Sequence, residues 1–184
     1  MTQPRRVRWP VTWTVLVVLV VLAATGCHSS GRASPSTSAS TAAKVTPEQT
    51  RTQVIAALGE LWGQMKPLGV RMSADGSYNQ CSDMGGDVKY NAGGRIDPPA
   101  AGTKDLGALL ESVLPKAGWV VDPHPTITSD NTYRRAAKDG LDLRLISYKS
   151  TSSAILDIDG PCVWLGGNGD ERYTSRGSEL LPLG

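Results

Sequence analysis

Two stretches near the C-terminal end of the chain alternate between apolar and polar residues. They span 141–149 and 153–159, and the apolar residues that follow the alternation are Leu141, Leu143, Leu145, Ala154, Leu156 and Ile158. Because successive side chains of a strand point to opposite faces of a sheet, this pattern is typical of strands with one buried face. Asp139-Gly140 predicts a tight hairpin between the first stretch and another strand candidate at 132–138. The chain is therefore constrained to contain an antiparallel sheet with one covered face.

The first segment with helical periodicity follows Thr46. Thr46, Pro47 and Gln49 occupy the N-cap, first and third positions of a capping-box sequence. Apolar residues then recur at spacings of three and four, namely at Val54, Ile55, Leu58, Leu61, Trp62 and Met65. Pro67 ends the pattern, and we predict a helix over 47–65.

A second amphipathic helix is predicted after Thr103, which would be its N-cap. Its apolar face consists of Leu106, Leu109, Leu110, Val113 and Leu114. Pro115 lacks a backbone N–H, so the last turn is expected to be irregular, and Gly118 suits the exit from the helix. A short strand is predicted directly afterwards, at 119–122.

The segment between the two predicted helices has weaker strand signals. We predict strands over 70–74 and 77–81, joined by a hairpin at Asp75-Gly76. A third short strand is predicted over 87–90. The tail from Gly166 is rich in glycine and polar residues and is predicted to be an irregular loop.

Together these elements predict an α+β fold: a meander-like antiparallel sheet with two amphipathic helices packed on one face. We expect residues 46–184 to form a single globular domain.

The N-terminus has the pattern of a bacterial export signal. Arg5, Arg6 and Arg8 precede an apolar stretch over 11–24, which at about 14 residues is shorter than a membrane-spanning helix. The sequence LAATGC, ending at Cys27, resembles a bacterial lipobox. An uncleaved signal anchor is the alternative.

The lipobox resemblance predicts a signal peptide over 1–26 and acylation of Cys27, with palmitate-type chains that make a stable membrane anchor. The predicted location is the extracytoplasmic face of the cell membrane. The segment that follows is rich in Ser, Ala and Thr and has too few large apolar residues to fold. Residues 27–45 are therefore predicted to be the lipidated cysteine and a flexible tether.

Charge excludes one class of function. After removal of the predicted signal peptide, 16 of the 19 basic side chains and all 17 acidic ones remain. Such a near-neutral domain lacks the basic surface that nucleic-acid binding needs.

The cysteine count predicts one disulfide. With Cys27 acylated, Cys81 and Cys162 form an even pair outside the cytoplasm, where disulfides are stable. A metal site is disfavoured because neither cysteine has another Cys or His at ligand spacing.

The stretches 141–149 and 154–162, the second of which closes on Cys162, resemble the end of the LppA-like lipoproteins of mycobacteria and related actinobacteria. Cys27, Cys81 and Cys162 match that family's order of lipobox, mid-chain cysteine and closing cysteine, although the Gly-rich tail departs from its pattern. The resemblance implies an envelope lipoprotein and brings no catalytic residue with it.

Several polar groups are weaker candidates for sites. His124 lies between two prolines, and the sequence has no Gly-x-Ser-x-Gly nucleophile motif with which this histidine could form a hydrolase site. The glycines of 166–170 lack the lysine of a phosphate-binding loop. Ordinary surface positions explain them better. The same holds for the strand aspartates Asp142, Asp157 and Asp159 as a calcium site, and for Glu60 and Glu111 as an acid–base pair.

The aromatic side chains are the stronger candidates. Core packing is their ordinary role, and a binding surface is the alternative, since Trp and Tyr recur at recognition surfaces. Trp164 is the first candidate for such a surface, together with Trp119 and Tyr148.

These observations predict a non-enzymatic extracytoplasmic lipoprotein that needs no cofactor or metal. It would bind an unidentified envelope protein or support envelope assembly. The alternative is a carrier of a lipid or another apolar ligand, held between sheet and helices. A hydrolase is disfavoured because no nucleophile–base arrangement is recognisable.

Overall fold

The computed structural model describes residues 45–82, 85–100 and 105–183. The predicted signal peptide, Cys27, the tether up to residue 44 and the predicted cap Thr103 lie outside these ranges. Within them, no helix is long and apolar enough to cross a membrane.

Helix α1 spans Pro47–Met65, as predicted. The Thr46 hydroxyl accepts a hydrogen bond from the Gln49 backbone N–H, and the Gln49 side chain accepts one from the Thr46 N–H, which completes the capping box. A 3₁₀ turn over Lys66–Leu68 follows and ends at Gly69 in the left-handed conformation. The buried face of α1 includes Val54, Leu58, Leu61 and Met65.

The predicted hairpin at Asp75-Gly76 is wrong. Strand β1 runs unbroken over Arg71–Gln80 and pairs along its whole length with β2, Asp87–Asp97. Gly76 allows β1 to pack closely against the Tyr90 side chain of β2, because a Cβ at this position would collide with the Tyr90 hydroxyl. The predicted strand at 87–90 is therefore only the first part of β2.

Helix α2 spans Leu106–Glu111, and its N-cap is Asp105, with Oδ1 accepting from the Ala108 N–H at 2.9 Å, so the predicted cap at Thr103 is wrong. After Glu111 the chain continues to a 3₁₀ turn at Pro115–Ala117, and this turn ends at Gly118, whose φ is +81°. The irregular end of this helix was expected from the proline and glycine.

The next strands are β3, Val120–Val121; β4, Thr126–Ile127; β5, Asn131–Lys138; β6, Leu141–Tyr148; and β7, Ala154–Asp159. The turn between β5 and β6 has positive φ at both Asp139 and Gly140, as a two-residue hairpin turn requires. Four of these strands match their predictions within two residues at each end, and β4 was not predicted.

The tail contains more structure than the sequence indicated. After β8, Val163–Trp164, which precedes this tail, the chain forms α3, Glu171–Thr174, and β9, Glu179–Leu181. Strand β9 pairs with β1 from Ala74 to Gly76. The predicted irregular loop is thus wrong for these segments, because tertiary pairing orders a sequence whose local signals are weak.

All strand pairs are antiparallel, and the main order across the sheet is β3-β5-β6-β7-β2-β1-β9. The register places the buried positions of β2, β6 and β7 on one face, where they form a core with the apolar sides of α1 and α2. The opposite face carries polar residues such as Asp142 and Arg144. The α+β prediction is confirmed.

Cys81, just after β1, and Cys162, just before β8, form a disulfide with their Cα atoms 6.1 Å apart. This separation is within the usual range for disulfides, and the predicted pairing is confirmed.

Candidate functional site

Trp164 is a surface aromatic held on a firmly attached loop. It lies in β8 opposite Asp87, two residues after the disulfide, and 59% of the residue is exposed. Its ring packs over Gly86, where a Cβ would lie 2.9 Å from two indole carbons. The Leu165 N–H donates to the Gly86 carbonyl at 2.7 Å. The ring is therefore presented to solvent from a backbone with little freedom.

The loop after Trp164 is fastened to β1 by a buried carboxylate. Asp170 is 3% exposed and accepts a hydrogen bond from the Gln80 amide. This bond lowers the pKa of the Asp170 carboxyl. We refer to Gly86, Trp164 and the loop 165–170 as the Trp164 platform.

The other two predicted surface aromatics do not join this platform. Trp119 is 2% exposed and belongs to the core, so its assignment to a binding surface is wrong. The residue follows Gly118 at the end of the 3₁₀ turn, and this position directs the ring inward. Tyr148 is partly buried at the end of β6, near the Ile96 end of β2, whereas Trp164 adjoins the Asp87 end.

Tyr148 instead borders a polar pocket between α2 and the sheet, which we call the α2 pocket. Its volume is about 380 Å³. Its polar lining side chains are Asp105, Glu111, Thr132, Arg134, Ser147, Tyr148, Lys149, Ser152 and Ser153. Arg134 Nη2 donates to Glu111 Oε2 at 2.8 Å, and this ion pair joins β5 to α2.

A second groove has mainly apolar walls and lies along α1 beside the C-terminal segment. Its volume is about 460 Å³, and it is lined by Ile55, Leu58, Gly59, Trp62, Gly63, Lys66, Leu181, Pro182 and Leu183. No heavy atom lies within 4 Å of the Cβ position of Gly59 or of Gly63. We call it the α1 groove, and its floor is open because these two helical positions have no side chain.

A third cleft contains an ionic and aromatic network that fastens β9. Arg51 of α1 makes two hydrogen bonds to Glu179 of β9, and Tyr90 Oη donates to the same carboxylate at 2.6 Å. These bonds hold the pKa of Glu179 at about 2, while burial and the carboxylate raise the pKa of Tyr90. The Arg176 guanidinium lies 4.5 Å from the ring centre of Tyr173. Each charged group here has a protein partner, which fits a structural role.

The remaining carboxylate candidates form ion pairs with different partners. Glu60 pairs with Lys138 at 2.5 Å, and Glu111 pairs with Arg134. On the open face, Asp157 pairs with Arg144 and Asp159 with Lys89. In the ranges that the structure describes, no three of the His, Cys, Asp and Glu side chains come together as metal ligands. His124 lies exposed in the segment before β4.

Comparison of the chain with protein families, with curated proteins and with solved structures finds no match.

Sequence reasoning missed Arg134 as a pocket residue. The signal was present, since alternation along β5 places Arg134 and Thr132 on the same face as buried Ala136. Charged and hydroxyl side chains at inward-facing strand positions mark a place where the apolar core ends.

Proposed function

We propose that this protein is a lipid-anchored, extracytoplasmic binding module without catalytic activity, in line with the LppA-like lipoproteins that its sequence resembles. The lipobox at Cys27 supports the anchor. The disulfide between Cys81 and Cys162 supports an oxidising compartment, because disulfides persist mainly outside the cytoplasm. Binding would serve an envelope protein partner.

The Trp164 platform is the observation that carries the binding role. Large aromatic residues contribute disproportionately to protein interfaces, since they bury much area at low conformational cost. Trp164 is largely exposed, yet its backbone is fixed by the disulfide, by β8 pairing and by the loop hydrogen bonds. Such preorganisation reduces the entropy that a partner's binding must overcome.

The anchor is tested with Cys27→Ser, with Ser29→Ala as the matched control. The Cys27→Ser protein is expected in the culture medium or the soluble extracytoplasmic fraction. The control is expected in the membrane fraction, with a mass that includes acyl groups. A Cys27→Ser protein that stays in the membrane would contradict lipid anchoring and favour an uncleaved signal anchor.

The binding surface is tested with a photo-crosslinking residue at Asn168, which is exposed in the platform loop. One defined partner band is expected in cells, and Trp164→Ala should abolish it. The matched control is Val120→Ala, since Val120 is also exposed, at 75%, but lies in β3 at the far end of the sheet. Equal loss of the band in both variants, or a band that Trp164→Ala leaves unchanged, counts against this surface.

The α1 groove favours a second candidate function, the carriage of an apolar ligand. Small-molecule sites are typically concave, mostly apolar and of a few hundred Å³, and this groove has that size and lining. Native mass spectrometry of protein from the host membrane is expected to show a non-covalent lipid adduct that Gly59→Leu removes by filling the groove. A ligand-free spectrum for the unsubstituted protein rejects this candidate.

A further inference from the structure

We propose that the α2 pocket binds a small ligand through an anionic group, a carboxylate or a phosphate, held by Arg134. The proposal rests on the pocket alone and does not depend on the lipid anchor or on the Trp164 platform.

The pocket lies where the inward face of the sheet changes from apolar to polar. Arg134 is paired in register with Leu145, which is fully buried, and Thr132 is paired with Ser147. The next inward position along β5 is Ala136, which belongs to the core. Polar side chains at inward positions are costly unless they are hydrogen-bonded. A bound polar ligand supplies the missing partners.

The Arg134 side chain has more N–H donors than it has hydrogen-bond partners. A guanidinium carries five N–H donors, and within the described ranges Arg134 makes one side-chain hydrogen bond, from Nη2 to Glu111. Its Nε has no partner but is itself shielded from solvent, so the donors that a ligand in the pocket would meet are those of the two Nη groups. Only 16% of the side chain is exposed, so water compensates little for these unmet donors. Arginine favours carboxylate and phosphate oxygens as acceptors because they match its fork of N–H groups.

Neighbouring hydroxyls extend the donor set. In the part of the chain that the structure describes, Thr132 and Ser147 make no side-chain hydrogen bond, although both line the pocket. Either hydroxyl can donate to a ligand oxygen near Arg134. One arginine and two hydroxyls around a common space form a donor cluster suited to an anionic group with several oxygens.

The other charges of the lining already have partners. Asp105 Oδ1 accepts from the Ala108 N–H, and Lys149 Nζ donates to the carbonyls of Thr128 and Ser129 at 3.0 and 3.2 Å. Glu111 is occupied by Arg134. The pocket volume of about 380 Å³ is at the lower end for small-molecule sites, which suits a compact ligand.

The test is NMR of residues 27–184, the chain without its predicted signal peptide, with the Arg Nε–Hε signals assigned and with inorganic phosphate and acetate as separate probes. We expect the Arg134 Nε–Hε signal to shift saturably at millimolar probe, because binding at the Nη groups changes the environment of the whole guanidinium. Phosphate saturating at lower concentration than acetate assigns a phosphate ligand, and the reverse order assigns a carboxylate. No saturable shift with either probe overturns the proposal.

Variants separate this pocket from general anion adsorption. Arg134→Lys keeps the charge but loses the fork, and is expected to weaken probe binding about tenfold. The matched control is Arg95→Lys, because Arg95 lies on the open sheet face, where its side chain is 63% exposed and paired with Asp97. The affinity of this control variant for the probe should stay within about twofold of that of the unsubstituted chain. Equal weakening in both variants overturns the proposal.

Ser147→Ala provides a second variant that leaves the Arg134–Glu111 pair in place. It should weaken probe binding by about threefold to tenfold, the usual effect of one hydrogen bond. If Ser147→Ala binds the probe as tightly as the unsubstituted chain, the donor cluster described above is wrong.

Discussion

Arg51 and Glu179 form a two-point ion pair across 128 residues of sequence, with Nε to Oε1 at 2.6 Å and Nη2 to Oε2 at 2.7 Å. The pair joins the first helix to the last strand. Tyr90 Oη donates to the same carboxylate from β2, in the middle of the sheet. Three distant parts of the chain therefore meet at one side chain, and the short strand β9 depends on it.

We expect the folded state to lose stability as pH falls because of Glu179. Its pKa is lowered from 4.5 to about 2 by the hydrogen bonds from Arg51 and Tyr90. A depressed folded-state pKa stabilises the protein above the unfolded value, and that stabilisation disappears as pH falls from about 4.5 towards 2. Because both partners are more than a third exposed, solvent screening leaves it at about 1 kcal/mol.

Glu179→Gln is the check on that pH dependence. Urea unfolding at neutral pH should show a loss of about 1 kcal/mol, and the difference from the unsubstituted protein should shrink near pH 2. The control is Glu171→Gln, which removes an exposed carboxylate of α3. A difference that stays constant between pH 6 and pH 2 would show that the ion pair is not responsible.

Gly76→Ala is expected to be strongly destabilising, by about 2 to 4 kcal/mol, because the new methyl group overlaps the Tyr90 side chain in a packed region. Thermal and urea unfolding measure this cost. Gly63→Ala is the matched control, since its Cβ position on α1 is open, and it should be neutral or stabilising by up to about 1 kcal/mol. Tyr90→Leu should itself lower stability, because it removes the hydrogen bond to Glu179, but it should cost less in the Gly76→Ala background, and full additivity of the two changes would contradict the collision.

Removal of the disulfide should lower stability by about 2 to 5 kcal/mol. Cys81 and Cys162 are 81 residues apart, and cross-linking a loop of that length restricts the unfolded chain by about 4 to 5 kcal/mol in the chain-entropy model. The measurement is urea unfolding of Cys81→Ser/Cys162→Ser beside the oxidised protein. A double variant as stable as the oxidised protein would mean that the bridge contributes nothing to the fold.

Tryptophan fluorescence should separate the two best-defined indoles. Trp164→Phe is expected to remove an emission component that is red-shifted and readily quenched by acrylamide, because Trp164 is 59% exposed. Trp119→Phe should remove a blue-shifted, protected component, because Trp119 is 2% exposed. Trp164→Phe should also change stability by less than about 0.5 kcal/mol, as surface substitutions usually do. Protected emission from Trp164 would contradict the exposed platform.

The sequence predicted elements well where local signals agreed. Helix α1 has a capping box, a proline at its first position and a continuous apolar stripe, and its observed bounds are those predicted. The β5–β6 hairpin has Asp-Gly at a turn where both residues adopt positive φ. The same dipeptide at 75–76 does not form a turn, because Gly76 is there to leave room for Tyr90, a residue of the neighbouring strand.

The candidate sites likewise divide into those that the sequence predicted correctly and those that it did not. The identity of the disulfide pair followed from cysteine counting, and Trp164 could be singled out because few large aromatic residues are present. The assignment of Trp119 to a surface failed, since residue type does not specify exposure. Arg134 was missed, although its inward position follows from strand alternation, because its pocket depends on where α2 ends relative to β5 and β6.

The sequence by itself determined the periodic elements, the half-buried sheet and the cysteine pair, because each depends on residues close in sequence or on simple pairing. Only the tertiary structure decided the order of strands, the pairing of β9 with β1 and the meeting of Arg51, Tyr90 and Glu179. These features depend on contacts between residues far apart in the chain, and weak local preferences yield to such contacts wherever they bury more surface or satisfy more hydrogen bonds.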